Sequence, residues 1–520
     1  MRHGIPVLAC SLFILALMPL GASEPLFEAT FPGENLPTGW QSHSAKGTMK
    51  VENGALRVDV PASEGTKGAA SASTALPVER FRGCRVTVRA RVKADKVVEP
   101  PQHWNGIKCM LKIVTPEQTL WEQKSNVFGS FDWKEIVFTT AIPRSAESID
   151  LILGLESTCG TVWFEKVRME VTGRQRVRPA KPLGAFKGHD RPRLRGTMIS
   201  PPRFGEADLE VLAGQWNANH VRWQLTAGGF PRCILDEKPV AEYNAWLDKE
   251  LAHLESMLPH LEKQGVLAVI DIHTPPGGRD ANHDCLLFRR KEYQDAFIAN
   301  WIMIAKRFRG QKAIWGYDLV NEPVEGTIPE GLMNWRELAL ATSKAIRQID
   351  PDVPIIIEPA PWGSPEALDW FEPFDPAEVP KVIYSVHFYL PHLYTHQGVH
   401  NNPAGIAYPG ELQGKYWDKE RLRQALRPVI EFQQDYGAAI YLGEFSAARW
   451  APGAERWLSD SIDIFEDYGW DWAYHAFREW DGWSVEHGPD PGNHERSTVP
   501  NEREKLLRHW FSKNVRPVSP

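Results

Sequence analysis

Two glutamates stand at the ends of short apolar segments that lie far apart in the chain. Asn321 and Glu322 follow the apolar run 314–320, and Glu444 follows the run 440–443. A pair of carboxyl groups can cleave a glycosidic bond, because one protonates the leaving oxygen while the other attacks the sugar or activates water. Most glutamates in a protein are solvated loop residues. A catalytic role for this pair therefore depends on the secondary-structure elements that position the two side chains.

Other polar side chains occupy the same kind of place. In the C-terminal part of the chain, polar or titratable residues follow six of eight short apolar runs. Besides the two glutamates, the candidate site residues are Arg222, His273, Asn321, His387, Tyr389 and Trp480. In a barrel of parallel strands the catalytic groups come from the C-terminal strand ends, so this architecture would bring all of them together.

From residue 194 onward, short apolar runs alternate with longer amphipathic ones. The predicted strands are 194–199, 220–225, 266–272, 314–320, 354–358, 382–388, 440–443 and 470–477. The predicted helices are 241–264, 291–309, 332–349, 418–436, 455–468 and 502–511. Eight such units predict an α/β fold, a (β/α)8 TIM barrel over 194–515. A doubly wound sheet would show the same alternation, but no GxGxxG or GxxxxGK[ST] motif follows any strand.

Residues 24–172 have a different pattern. Short alternating segments, separated by Gly, Pro and Ser turns, predict an all-β jelly-roll sandwich. Segment 85–92 alternates strictly, and similar segments occur at 55–60, 108–114, 134–140, 149–155 and 161–171. Residues 173–193 carry a series of arginines and three prolines, which predicts a basic, extended linker between the two domains.

The first 23 residues are predicted to be a secretory signal peptide rather than part of the fold. Basic residues near Met1 precede an apolar run of 16 residues, 5–20, and small residues end the segment at Ser23. A membrane span needs about 20 apolar residues, so the run is too short for an anchor. We therefore expect a secreted or periplasmic protein with no membrane association after cleavage.

Charge and cysteine content exclude other classes of protein. Lys and Arg total 59 against 66 Asp and Glu, which gives a net charge of −7, whereas nucleic-acid binding depends on a basic surface. No CxxC motif points to a zinc site. Cys233 and Cys285 fall in predicted loops on one face of the barrel. The sequence does not decide whether they form a disulfide or remain free thiols.

We expect the protein to be a monomer.

The ordered set of strand-end residues resembles the signature of glycoside hydrolase family 5, the cellulase-like (β/α)8 retaining hydrolases. The resemblance rests on Asn321-Glu322-Pro323, Arg222, His273, the His387-x-Tyr389 pair and Glu444, each at a predicted strand end. It covers residues 194–512. Asn-Glu-Pro alone would be weak evidence, whereas the whole set in this order is specific.

The resemblance implies different roles for the two glutamates. Glu322 would be the acid/base, and Glu444 would be the nucleophile that forms a glycosyl-enzyme intermediate. Asn321 would hold the sugar 2-hydroxyl through a contact that strengthens toward the transition state. Retention of configuration predicts carboxyl groups about 5–5.5 Å apart. This chemistry needs no metal and no cofactor.

The resemblance also implies what the surrounding side chains do. Arg222 and Tyr389 would keep Glu444 ionised, because a nearby cation and a hydrogen bond to the charged form both lower the pKa of a carboxyl group. His273 and His387 would line the subsite around the cleaved bond.

The sequence departs from the family at the eighth strand, where a Trp usually forms a platform for the sugar. His475 takes that place, and we predict that Trp480 supplies the ring from the following loop. Three more tryptophans follow predicted strands: Trp362, Trp450 and Trp483. Each could either form an outer sugar subsite or pack against neighbouring side chains.

The predicted function is that of a secreted retaining glycoside hydrolase that cleaves β-linked polysaccharide or oligosaccharide. Endo-β-1,4-glucanase (cellulase) activity is the leading prediction, and β-mannanase, exo-β-glucanase, β-glucosidase and transglycosylase activities would use the same site. A non-catalytic carbohydrate-binding protein is the alternative of another class, although the presence of both carboxylates argues against it.

The N-terminal sandwich resembles the jelly-roll carbohydrate-binding modules appended to such hydrolases. The resemblance rests on the strand pattern and on segments 131–134 and 160–164. Trp104 and Trp121 are its candidate ligand-binding residues, because they flank loop-like segments. A spacer domain that binds nothing is the alternative.

Overall fold

The computed structural model describes residues 27–517 apart from 45, 117, 183–188, 190, 228–238, 281–282, 330 and 400. The predicted signal peptide, 1–23, lies outside the described residues, and so does Cys233. Signal cleavage and the Cys233–Cys285 disulfide therefore stay predictions. The chain divides into two compact units between Arg174 and Gln175.

The N-terminal unit consists of two antiparallel sheets. Its strands are β1 (Phe27–Thr30), β2 (Trp40–His43), β3 (Thr48–Glu52), β4 (Ala55–Val60), β5 (Ala69–Ala75), β6 (Cys84–Val97), β7 (Gly106–Val114), β8 (Thr119–Gln123), β9 (Gly129–Ile142), β10 (Ser148–Glu156) and β11 (Gly160–Arg174). One sheet has the order β3-β4-β11-β6-β9, with β1 beside β11, and the other has the order β2-β5-β10-β7-β8. Alternate residues of the strands enter one shared apolar core, as Val86, Val88 and Val92 do from β6. The predicted β-sandwich is confirmed.

The second unit is built around a closed barrel of eight parallel strands. They are β12 (Arg195–Ile199), β13 (His220–Gln224), β14 (Leu267–Asp271), β15 (Ile314–Asp318), β16 (Ile355–Ile357), β17 (Val382–Phe388), β20 (Ala439–Phe445) and β21 (Asp471–Phe477). A hairpin of β18 (Gly410–Leu412) and β19 (Lys415–Trp417) lies between the sixth and seventh barrel strands. Every barrel strand overlaps a predicted strand, and the predicted TIM barrel is confirmed.

The described residues of this unit also form a series of helices. They are α1 (Glu206–Leu209), α2 (Val240–Gln264), α3 (Lys291–Phe308), α4 (Trp335–Arg347), α5 (His392–Thr395), α6 (Lys419–Ala425), α7 (Arg427–Tyr436), α8 (Ala454–Asp467) and α9 (Glu502–Phe511). The predicted helix 418–436 is two helices, because Pro428 in the first turn of α7 has no N–H with which to continue α6.

The interior of the barrel is filled with apolar side chains. Met198, Val269, Trp315, Ile356 and Tyr441 are among the buried residues of this inner cluster. Because this layer is packed, the polar groups collect above it, at the C-terminal ends of the strands. None of the helices in the described part of the chain combines the length and the apolar composition that a membrane span requires.

Part of the predicted linker, 173–193, is bound to the barrel unit. Arg176 Nη1 lies 2.6 Å from Asp435 Oδ2 of α7, and Arg178 donates from Nε to the same oxygen at 2.9 Å. His189 Nε2 lies 2.7 Å from Asp471 Oδ2 at the start of β21. Basic residues that predicted a linker are therefore partners of buried carboxylates, a role that the sequence analysis did not include.

Candidate active site

Glu444 is held near the end of β20 by two hydrogen bonds. Arg222 of β13 donates from Nη1 to Oε1 at 2.7 Å, and Tyr389 after β17 donates its hydroxyl to Oε2 at 2.8 Å. Burial raises the pKa of Glu444, but the charges of His387, His475 and Arg222 lower it by more. The pKa of this buried carboxylate therefore lies well below its ordinary value, and Glu444 is ionised.

The guanidinium group of Arg222 stands at the centre of a buried cluster of carboxylates. It lies 2.7 Å from Glu444, 2.8 Å from Glu358, 2.9 Å from Asp318 and 3.2 Å from Asp271. Burial opposes the charged form of Arg222, but these neighbours raise its pKa well above the ordinary value. Burial also raises the pKa of Asp318, by more than Arg222 lowers it. One cation thus ties together the ends of five barrel strands.

Glu322 follows β15, and its backbone is held on both sides. Its φ is 46°, in the left-handed region that residues with a side chain seldom adopt. The main-chain N–H of Glu322 donates to Glu358 Oε2 at 2.8 Å, and Arg279 Nη2 donates to its carbonyl oxygen at 2.9 Å. These contacts fix the point from which the Glu322 side chain projects.

His387 lies between the two glutamates. Its Nδ1 atom is 2.8 Å from Glu322 Oε1 and 3.6 Å from Glu444 Oε2, and the two glutamates approach each other with carboxyl oxygens within 4.8 Å. Its Nε2 atom is 3.1 Å from Glu358 Oε1. Burial lowers the pKa of His387, but Glu358 and Glu444 raise it well above the ordinary value. The barrel thus brings the predicted glutamates together around a charged imidazole.

His273 and Asn321 also reach this network. His273 Nδ1 lies 2.9 Å from Asp271 Oδ2, and Asp271 in turn contacts Arg222. Asn321 accepts from Arg222 Nη2 at 3.2 Å through Oδ1. Asn321 therefore contacts Arg222 directly, and His273 reaches it through Asp271, from the ends of neighbouring strands.

Trp480 belongs to an aromatic cluster in the loop after β21. Its ring meets those of Trp450 and Trp483 edge-on, with centroids 6.0 Å and 5.2 Å apart. Trp483 lies 5.8 Å from His475 and 6.1 Å from Tyr389, centroid to centroid. Trp483 thus stands between Trp480 and the residues that contact Glu444, and the role of Trp480 as a sugar platform stays a prediction.

Several residues of the site were absent from the predicted set of site residues, Asp271 and Asp318 beside Arg222 among them. Glu358 follows β16 and contacts Arg222, His387 and the backbone of Glu322. Its position at the end of a predicted strand was a usable signal. His475 and Glu479 contact each other beside Glu444. No local pattern distinguishes Glu479: His475 lies four residues before it on β21, and its hydrogen-bond donor, Gln224, comes from β13.

Comparison with known proteins identifies the family of the barrel unit. A family model described as cellulase (glycosyl hydrolase family 5) matches residues 186–481. Endoglucanase C of Acetivibrio thermocellus is 29% identical over 291 residues, which cover 51% of this chain and 80% of that protein. Cellodextrinase A of Ruminococcus flavefaciens is 25% identical over 276 residues, which cover 51% of this chain and 75% of that protein.

Solved structures of similar proteins include endoglucanase Cel5A from the hyperthermophilic Thermotoga maritima. The likeness has a TM-score of 0.44 at 24% identity, and it covers 56% of this chain and 91% of that chain. The family model, by contrast, spans more than half of the chain and includes β12 to β21. The protein therefore belongs to glycosyl hydrolase family 5 and is a glycosidase.

Proposed function

We propose that the protein is a retaining endo-β-1,4-glucanase in which Glu322 is the acid/base and Glu444 is the nucleophile. The observation that carries the proposal is the approach of these two carboxyl groups, with oxygens within 4.8 Å of each other around His387. Retaining glycosidases hold their carboxyl groups about 5–5.5 Å apart, whereas inverting enzymes need about 6.5–9.5 Å to admit a water. The short separation favours direct attack by Glu444.

The two glutamates would work in two steps. Glu444 attacks the anomeric carbon while Glu322 gives its proton to the leaving oxygen, and a glycosyl-enzyme ester forms. Glu322 then takes a proton from water, and that water attacks the anomeric carbon and releases Glu444. Arg222 supports the first step because it keeps Glu444 ionised. The same guanidinium fixes the Asn321 amide, whose nitrogen would donate to the sugar 2-hydroxyl.

The relatives support a β-1,4-glucan as the substrate. One of them is an endoglucanase, and another is a cellodextrinase. The second name favours cleavage of short oligosaccharides as the alternative to attack within a polymer. β-Mannanase, exo-β-glucanase, β-glucosidase and transglycosylase activities remain outcomes of the test.

The test is product release from carboxymethyl cellulose, mixed-linkage glucan, laminarin, glucomannan, galactomannan, xylan and cellodextrins. We expect cleavage of the β-1,4-glucans, with a fall in viscosity ahead of the release of reducing ends, as endo action requires. Glu322→Gln and Glu444→Gln should each lose at least ~10³-fold on the best substrate, about 4 kcal/mol of barrier.

Glu504→Gln is the matched control, because Glu504 is a buried glutamate of α9 that pairs with Arg508. It should keep the wild-type rate. Unimpaired activity of Glu322→Gln or Glu444→Gln would show that the catalytic pair is assigned wrongly. A wild-type protein that binds a glycan without cleaving it would be a carbohydrate-binding protein.

We also propose that the N-terminal sandwich binds the same glucan through Trp104 and Trp121. Their side chains are 49% and 54% exposed. The Lys112 ammonium lies 5.6 Å from the centroid of the Trp121 ring, and Gln123 Nε2 donates to the Trp104 carbonyl at 2.7 Å. Exposed indole faces stack on the apolar C–H faces of sugars, and the neighbouring polar groups can bond sugar hydroxyls.

This second proposal is tested by retention of the protein on insoluble cellulose. In a Glu322→Gln background, which preserves the substrate, the double variant Trp104→Ala, Trp121→Ala should be retained less than its parent. Tyr416→Ala is the control, because Tyr416 is 58% exposed on the hairpin of the barrel unit. Equal retention of the double variant and its parent would make the sandwich a spacer.

Export is proposed from the sequence of residues 1–23. The mature protein should begin near residue 24 and should be recovered from the periplasm or the medium of an expressing bacterium. N-terminal sequencing of the recovered protein tests this, and an intact chain that begins at Met1 in the cytoplasm would contradict it.

A further inference from the structure

His475 lies near the end of β21, and it contacts Glu444, the proposed nucleophile. Its side chain is 10% exposed. The Nδ1 atom is 2.5 Å from the Tyr389 hydroxyl oxygen and 3.4 Å from Glu444 Oε2. The Nε2 atom, on the other side of the ring, is 3.2 Å from Glu479 Oε2. The imidazole is therefore placed between two carboxylates, with the Tyr389 hydroxyl beside one of them.

The hydrogens available to these groups set the protonation of the ring. Tyr389 has one hydroxyl hydrogen, which points to Glu444 Oε2 at 2.8 Å. The Tyr389 oxygen must then accept from His475, so Nδ1 carries a hydrogen. Nε2 lies 3.2 Å from Glu479 Oε2, within ion-pair distance but not aligned as a hydrogen bond. The Gln224 amide donates to the same oxygen at 2.7 Å. One ring nitrogen thus donates to Tyr389 and the other lies against a carboxylate, an arrangement that suits an imidazolium.

The surrounding charges favour the same state. Burial lowers the pKa of His475 and the charged His387 lowers it further, but Glu479 and Glu444 together raise it above its ordinary value. For Glu479, burial raises the pKa, but His475, His273 and the Gln224 hydrogen bond together lower it by more. Glu444 and Glu479 thus lie on either side of the buried His475 cation, and each of these charges has a partner of opposite sign.

We propose that His475 is a positioning residue, held as an imidazolium by Glu479, that fixes the Tyr389 hydroxyl and the Glu444 carboxylate for attack. The inference rests on the proposed role of Glu444 as the nucleophile. Attack turns Glu444 into a neutral ester, so one of the two negative neighbours of His475 disappears in the glycosyl-enzyme. Glu479 then remains as the counter-ion, and the cation is still in place when water releases the sugar.

The variant Glu479→Gln tests the proposal, because it keeps the shape of Glu479 and removes its charge. The direction of the expected pH shift depends on which protonation state of His475 is active. If the charged His475 is required, activity falls as pH rises through the pKa of His475, and loss of Glu479 lowers that pKa. We expect the alkaline limb of kcat/KM to move to lower pH by about one unit or more, where one unit corresponds to 1.36 kcal/mol.

The substrate for this measurement is 2,4-dinitrophenyl β-cellobioside. Its leaving group departs without a proton, so the limb does not report on Glu322. Glu504→Gln is the control, and its profile should match that of the wild type. A Glu479→Gln profile that keeps the wild-type pH limbs, even at a uniformly lower rate, would overturn the proposal, since a merely structural role lowers activity at every pH.

NMR of protein with isotope-labelled histidine gives a readout that is independent of activity. The His475 signals are assigned by their loss in His475→Asn. In the wild type the ring should stay doubly protonated above pH 6.5, the ordinary value for His, and in Glu479→Gln it should lose a proton at lower pH. A neutral His475 at pH 6 in the wild type would overturn the proposal. Failure to hydrolyse the cellobioside would count against the proposed function instead.

Discussion

Glu358 Oε2 accepts the main-chain N–H of Glu322 at 2.8 Å. The other oxygen of the same carboxylate lies 2.8 Å from Arg222 Nη2 and 3.1 Å from His387 Nε2. Glu322 has a left-handed backbone conformation. Such a conformation costs about 1–3 kcal/mol and persists only where the surrounding structure holds it. A buried carboxylate with no place in the proposed reaction thus holds the proposed acid/base in its conformation.

The variant Glu358→Gln tests this relationship. The amide keeps the shape of the carboxylate, but it places a donor toward groups that all donate. We expect kcat/KM to fall by at least about tenfold. The free energy of unfolding should fall by about 3–5 kcal/mol, as when one partner of a buried ion pair is removed. Enzyme kinetics and urea unfolding measure the two effects. Glu366→Gln, on an exposed residue shortly after β16, is the control, and equal behaviour of the two variants would contradict the prediction.

The hydrogen bond from Tyr389 predicts how activity depends on pH at the acid side. A bond to the ionised form lowers the pKa of Glu444, so its removal in Tyr389→Phe raises that pKa. The acid limb of kcat/KM, where Glu444 takes up a proton, should therefore move to higher pH. Tyr394→Phe is the control, because the buried Tyr394 hydroxyl bonds the Pro452 carbonyl instead. An acid limb that stays in place in Tyr389→Phe would refute the role of this bond.

The ion pairs of Asp435 predict a pH-dependent stability. Asp435 is 1% exposed. Burial raises its pKa, but the hydrogen bonds from Arg178 and Arg176 lower it by more. Because the folded pKa is depressed, the stabilisation is present above the unfolded value of about 3.9 and is lost as pH falls through the folded value. Asp435→Asn should therefore lower the free energy of unfolding by about 3 kcal/mol at pH 7, and by less at pH 3, which lies below the unfolded value.

Denaturant unfolding at the two pH values measures the difference between wild type and Asp435→Asn. Asp463→Asn is the matched control, because Asp463 pairs with Lys419 in a more exposed salt bridge. Such a pair contributes about 1 kcal/mol or less. An equal loss of stability at pH 7 and pH 3 in Asp435→Asn would show that the charge of Asp435 is not the cause.

Trp480 is predicted to bind sugar rather than to support the fold alone. Trp480→Ala should raise KM for cellodextrins by about tenfold with a smaller change in kcat, because a stacking platform binds the ground state and the transition state alike. Tyr416→Ala is the control, since the exposed Tyr416 lies on the hairpin of β18 and β19. A fall in kcat with KM unchanged would indicate that Trp480 acts through the packing of Trp483.

Several elements followed directly from the sequence, and others escaped for identifiable reasons. The eight barrel strands were predicted because each is a short apolar run bounded by polar residues. In the sandwich, β5 was missed because Ala69–Ala75 contains only small residues, which carry little strand signal. The break between α6 and α7 was missed although Pro428 marks it. The strand pattern of β5 is weak within the segment, and the proline that separates α6 from α7 was overlooked.

The sequence by itself determined the barrel and the strand-end places of Glu322 and Glu444, because a strand end is a local property. The contacts of Arg222 and Tyr389 with Glu444 were implied by the resemblance to the family. Only the tertiary structure decided that Glu358 supports Glu322 and that Gln224 of β13 holds Glu479 beside His475. The reason is physical: a buried charge is stabilised by whichever partner lies within a few ångströms, and the register across the closed barrel sets those distances.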